Sequence, residues 1–134
     1  MWRKLSTCFL PLVLLVLTTG CQLSQTAFLR MAGDAGSAFE AASITLQYTH
    51  EGKITTAYAS SSFINFQSEL SNLDQVLPSQ NGAPNKRTIQ HLLALSKPAM
   101  QAINTPCLDT SCNWQAQITV LNRASEAFLK AGGQ

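Results

Sequence analysis

The chain has 134 residues, room for one domain and a short appendage. Its nine Lys and Arg stand against seven Asp and Glu, and two of the nine, Arg3 and Lys4, sit at the very start, leaving seven of each sign in the remainder. A neutral body of this kind has no basic patch for nucleic acid and no polybasic arm for anionic lipid, so nucleic acid is not an expected partner.

The first twenty-one residues have an order of their own. Met1–Thr7 carries Arg3 and Lys4, Cys8–Leu17 (CFLPLVLLVL) is uncharged, and Thr18, Thr19 and Gly20 precede Cys21. Positive end, short apolar run and small-residue site make up the layout of a secretory signal peptide. Ten apolar residues rise only ~15 Å as a helix, about half the hydrocarbon thickness of a bilayer, which argues against a spanning anchor. A buried core helix would need a polar face, and this run has none.

Leu17-Thr18-Thr19-Gly20-Cys21 resembles the lipobox of bacterial lipoproteins. In that class a diacylglyceryl group is placed on the cysteine thiol and a signal peptidase then cuts before the cysteine. The commonest lipobox has a branched aliphatic residue three positions before the cysteine; here Thr18 stands there, with Leu17 one place further out. The resemblance covers residues 1–21 only. It implies a cleaved signal peptide over 1–20 and lipidation (diacylglycerol, palmitate) of Cys21. Residues 21–25 would then be a tether holding a domain over 26–134 on the outer side of a bacterial membrane.

Further along, Ser24–His50 places Phe28, Met31, Ala35, Ala38/Phe39, Ala42 and Leu46 at steps of three and four, which predicts a helix. Gly33 and Gly36 either weaken it, by up to ~1 kcal/mol each relative to Ala, or permit close approach of a neighbouring helix. Glu51-Gly52-Lys53 reads as a turn with Gly52 left-handed. Ile54–Leu77 repeats the spacing (Ala59, Phe63, Phe66, Leu70, Leu73, Leu77) and predicts helix throughout, despite mediocre helix formers such as Thr55, Thr56 and Ser60–Ser62. Pro78–Pro84 (PSQNGAP) reads as a loop. Asn85 is placed to cap a third helix carrying Ile89, Leu92/Leu93, Ser96, Met100 and Ile103, with a kink or break near Ala94–Lys97 because of Pro98. After Thr105-Pro106, a fourth helix beginning near Ser111 or Asn113 carries Trp114, Ile118, Leu121, Ala124/Ser125 and Phe128, and ends at Lys130 and Gly132-Gly133. Four amphipathic helices with short connections predict an all-α fold, a small antiparallel bundle of about four helices.

Chemistry is scarce. With Cys8 lost in the signal and Cys21 lipidated, Cys107 and Cys112 remain, and an even pair in an oxidising compartment reads as a disulfide, contributing roughly 2 kcal/mol. Four residues separate them rather than the two of a redox motif, and no further Cys or His is near enough in sequence to complete a metal site. Gly33-Asp34-Ala35-Gly36-Ser37 lies in a helical pattern and is no nucleophile elbow. His50-Glu51 opens like a zinc-protease motif, but Ile54 stands where the second His belongs. His50 therefore reads as a solvated helix-end residue, and His91 as a boundary residue. The carboxylates are scattered singly, without the pairing that acid–base catalysis favours. Neither an enzyme nor a cofactor is expected, and the expectation is a module that binds another envelope protein or the cell wall. The alternative is a small helical carrier of haem or an apolar ligand, drawing on Met31, Met100 and His91.

Overall fold

A computed structural model of the chain describes the backbone of residues 9–79 and 85–134, with side chains over 27–79 and 85–134. The side chains on which the signal-peptide and lipobox readings rest, Cys21 included, and most of the Pro78–Pro84 loop fall outside the described residues. Among the described residues there are five helices and no strand: α1 (Phe9–His50), α2 (Thr56–Leu70), α3 (Leu73–Ser79), α4 (Lys86–Asn104) and α5 (Trp114–Ala131). Among the residues whose side chains are described, no helical segment is long and apolar enough to cross a membrane.

The helix ends follow local chemistry. Three helices start on a side chain that accepts from the first turn: Thr55 from the Tyr58 N–H, Asn85 from Thr88 and Asn113 from Ala116. Each satisfies one of the donors a helix start leaves open. Two helices stop on a left-handed glycine. At Gly52 (φ +72°) the Lys53 N–H returns to the Tyr48 carbonyl and the Gly52 N–H to Thr49. At Gly133 (φ +79°) Gln134 returns to Leu129 and Gly133 to Lys130. This paired return is the Schellman motif, which a positive φ makes possible.

Three expectations are corrected. Ile54–Leu77 is not one helix: it breaks after Leu70, with the hydroxyl of Ser71 donating to the Ser68 carbonyl and Asn72 accepting the first backbone bonds of α3. Ser and Asn compete with the helix for their own backbone. The apolar period nevertheless runs on across the break, since Leu70, Leu73 and Leu77 are all buried. The second correction concerns Pro78, which lies inside α3 rather than in a loop. Third, of the kink or break expected at Pro98 the break is absent: α4 runs on from Lys86 to Asn104, the ring gives up one bond, and Ser96 donates to the Leu93 carbonyl.

The core is built around α1 and α5, which run antiparallel. Gly132 lies against Gly33, Phe128 packs on Phe39 with centroids 5.6 Å apart, and Trp114 reaches His50. Small residues let the two backbones approach: a Cβ on Gly36 would meet the Leu129 backbone nitrogen at 2.8 Å. Among the described residues four phenylalanines (Phe28, Phe39, Phe63, Phe128) are the largest fully buried side chains, packed with Leu46, Leu92, Ile103 and Leu121. α4 lies antiparallel to α5, and Gln117 ties the connection between them by donating to the Thr105 carbonyl and accepting from the Cys107 N–H. α2 folds back along α1, bringing Glu69–Val76 beside Ala27–Ala35. The start of α4 and the end of α5 thus share one end of the bundle with residues 27–33 of α1. The other end holds the end of α1, the end of α4 and the start of α5.

Candidate functional site

The end of the bundle where α1 finishes is clamped. The Sγ atoms of Cys107 and Cys112 lie 2.01 Å apart, at disulfide distance, with Cα atoms 5.8 Å apart. The Cys107 carbonyl meets His50 Nε2 at 2.6 Å. A carbonyl only accepts, so Nε2 carries the hydrogen. The His50 ring lies flat on Trp114, 4.3 Å between centroids and 7° between planes. His50 is thus a half-buried strut between α1, α5 and the cysteine loop, not the freely solvated residue the sequence implies. Nothing local could have revealed this, because its partners lie 57 and more residues away.

Within the loop, Asp109 Oδ1 accepts from both the hydroxyl and the backbone N–H of Ser111. These two bonds, more than the nearby His50, hold the Asp109 carboxyl below its ordinary range. Because the folded value is the lower one, the loop gains from the ionised form above the ordinary Asp pKa. That gain disappears as pH falls through the lowered value. The Ser111 amide proton should therefore shift in NMR spectra only in this acid window; a shift centred on the ordinary value would show that the bonds are absent. Cys107, Asp109 and Cys112 place three donor atoms within 4.8 Å of one another. With the two sulfurs at bonding distance from each other, no thiolate is offered to a metal.

Two open grooves flank the break between α2 and α3, and Leu70 and Leu73 line both. The first, about 400 Å³, lies against α1 and adds Met31, Ala35 and Val76, with Arg30, Asp34 and Glu69. The second, about 500 Å³, lies against α4 and adds Leu93 and Met100, with Asp74, Lys97 and Gln101. Both volumes fall in the range of small-ligand sites, ~300–1,000 Å³. Met31 and Met100 fall in different grooves, and His91 is exposed and lines neither, so the three haem candidates are not gathered. The sequence reading missed the grooves because it ran the helix straight through Ser71-Asn72.

Away from the grooves, large apolar side chains stand in solvent on α1 and α2: Ile44, Tyr48, Tyr58 and Ile64, the last two each 62% exposed. Lys53 lies over the Tyr48 ring at 4.8 Å from its centroid and pairs with Glu51 at 2.9 Å. Comparison with protein-family models, with curated proteins and with solved structures returns no match.

Proposed function

We propose that the chain is a lipid-anchored extracytoplasmic helical module that acts by binding another component of the bacterial envelope. The observation that carries this reading is the order of its first residues: Arg3 and Lys4, the uncharged run Cys8–Leu17, then Leu17-Thr18-Thr19-Gly20-Cys21. A chain exported in this way meets an oxidising compartment, where a pair such as Cys107 and Cys112 forms a bond that lasts. Catalysis draws no support from the residues that are brought together. Asp109 is engaged with Ser111, His50 with a backbone carbonyl, and among the described residues the buried interior is apolar apart from Ser43, Ser96 and Ser125. The two grooves, lined by buried Leu70 and Leu73 and by exposed polar residues such as Arg30, Glu69 and Lys97, are the surfaces on which a partner finds both area and orientation.

Cells fed labelled palmitate decide the anchor. The wild-type chain should carry the label and Cys21→Ser should lose all of it; label retained on Cys21→Ser sinks the assignment. Affinity capture of the lipidated protein from native membranes addresses the binding role. A stoichiometric envelope partner is expected, and its absence together with turnover of some substrate would reject the reading.

A further inference from the structure

The seven cations and seven carboxylates of residues 21–134 cancel in sum but are not evenly spread along the bundle. Three stretches meet at the end where α1 enters the core, α4 begins and α5 stops. Residues 27–33 hold Arg30, residues 85–90 hold Lys86 and Arg87, and residues 127–134 hold Lys130; the acids bordering these stretches are Asp34 and Glu126, each one helical turn from a cation. All four cations are exposed. Asp34 and Glu69, both exposed, line the first groove beside Arg30, and Asp74 lines the second groove with Lys97. The opposite end is different: Glu51 and Asp109 are there, and its one lysine, Lys53, is paired with Glu51.

Two of these cations are placed against the interest of the fold. Lys86 and Arg87 occupy the first turn of α4, which has no acidic residue. The positive end of the helix macrodipole lies there, so both charges work against the helix they belong to. An anionic surface reverses the sign, because the helix start and the two side chains then attract the same phosphates. Lys130, in the last turn of α5, is favourably placed with respect to its own helix and adds to the same face. The face is also the one nearest Cys21 along the chain, six residues before Ala27. Even fully extended, six residues reach only ~20 Å, which keeps a membrane-held domain close to the headgroups.

We propose that this end of the bundle seats on anionic phospholipid, with Arg30, Lys86, Arg87 and Lys130 among the headgroup phosphates, so that both grooves are held at a fixed height and orientation above the bilayer. The choice of the end that faces the membrane rests on the anchoring of Cys21; the attraction itself does not. Near an anionic surface each Lys or Arg strengthens binding about fivefold, and the effect dies away within a Debye length of ~10 Å.

The test uses the protein purified from bacterial membranes, with the mass of its N-terminal peptide recording whether Cys21 carries lipid. It is placed in vesicles of phosphatidylcholine, or of phosphatidylcholine and phosphatidylglycerol in equal parts, and its amines are labelled with an acylating reagent. Lys86 and Lys130 should label more slowly on the anionic vesicles, Lys53 equally on both, and added salt should erase the difference. Arg30→Gln/Arg87→Gln, which leaves both reporter lysines in place, should weaken seating about 25-fold. Equal labelling of Lys86 and Lys130 on both vesicle types overturns the proposal. If the N-terminal mass shows no lipid, the anchor reading falls by itself. Co-sedimentation with the anionic vesicles alone would then support the docking face, and co-sedimentation with neither, or with both equally, would reject it.

Discussion

Gly36→Ala should destabilise the bundle by about 2 kcal/mol, although alanine is the better helix former by up to ~1 kcal/mol. The new methyl would meet Leu129 twice at 2.8 Å, once at the side-chain Cγ and once at the backbone nitrogen. The side chain can turn away and the backbone cannot, so α5 itself has to move. Overpacking of this kind costs about 1–3 kcal/mol, and a rigid obstacle puts the site at the upper end of that range. Gly33, three residues earlier on the same helix, makes the control. A Cβ there meets the Nε2 of Gln134 at 3.0 Å, the far end of an exposed and flexible side chain. Gly33→Ala should therefore be neutral or stabilising by up to ~1 kcal/mol, with propensity alone deciding. The urea midpoint should fall for Gly36→Ala and stay level or rise for Gly33→Ala. If Gly36→Ala also stabilises, α1 and α5 do not approach as closely as the structure has them.

That contrast also marks how far the sequence could be read. Steps of three and four placed the apolar face of α1, α4 and α5 correctly, because burial on one side of a helix imposes that period directly: Phe28, Leu46, Leu92, Ile103, Leu121 and Phe128 are all buried. Caps were legible for the same reason, since Asn85 and Gly52 act on groups within a few residues of themselves. Gly33 and Gly36 could be read two ways, and only the position of α5 separates them. The break at Ser71-Asn72 was hidden because the apolar spacing continues across it, and with it went both grooves. His50 and Trp114 lie 64 positions apart, and nothing in the neighbourhood of either announces the other. Nor does net charge record where charges stand, so a neutral sum concealed the cationic end at Arg30, Lys86, Arg87 and Lys130.

Phe39→Ala should be among the costliest single changes outside the backbone contacts, at about 3–5 kcal/mol. The ring is wholly buried and packs on the equally buried Phe128, tilted at 55° with centroids 5.6 Å apart. Much of the surrounding core is alanine (Ala32, Ala35, Ala38, Ala42, Ala124), which has no longer side chain to swing into the space a lost ring would leave. Such a cavity collapses poorly, and the cost stays near the upper end of the range. A domain of this size has only about 5–15 kcal/mol of net stability, so one ring accounts for a large part of it. Phe128→Ala alone should cost a similar amount. The double variant should cost less than the two together, because residues in contact share about 0.5–3 kcal/mol of coupling. Additive losses in urea unfolding would mean that the two rings do not support each other, and the pairing of α1 with α5 at the centre of the bundle would have to be redrawn. Tyr58→Ala, far from this contact and 62% exposed, should stay within ~0.5 kcal/mol of the parent in the same assay.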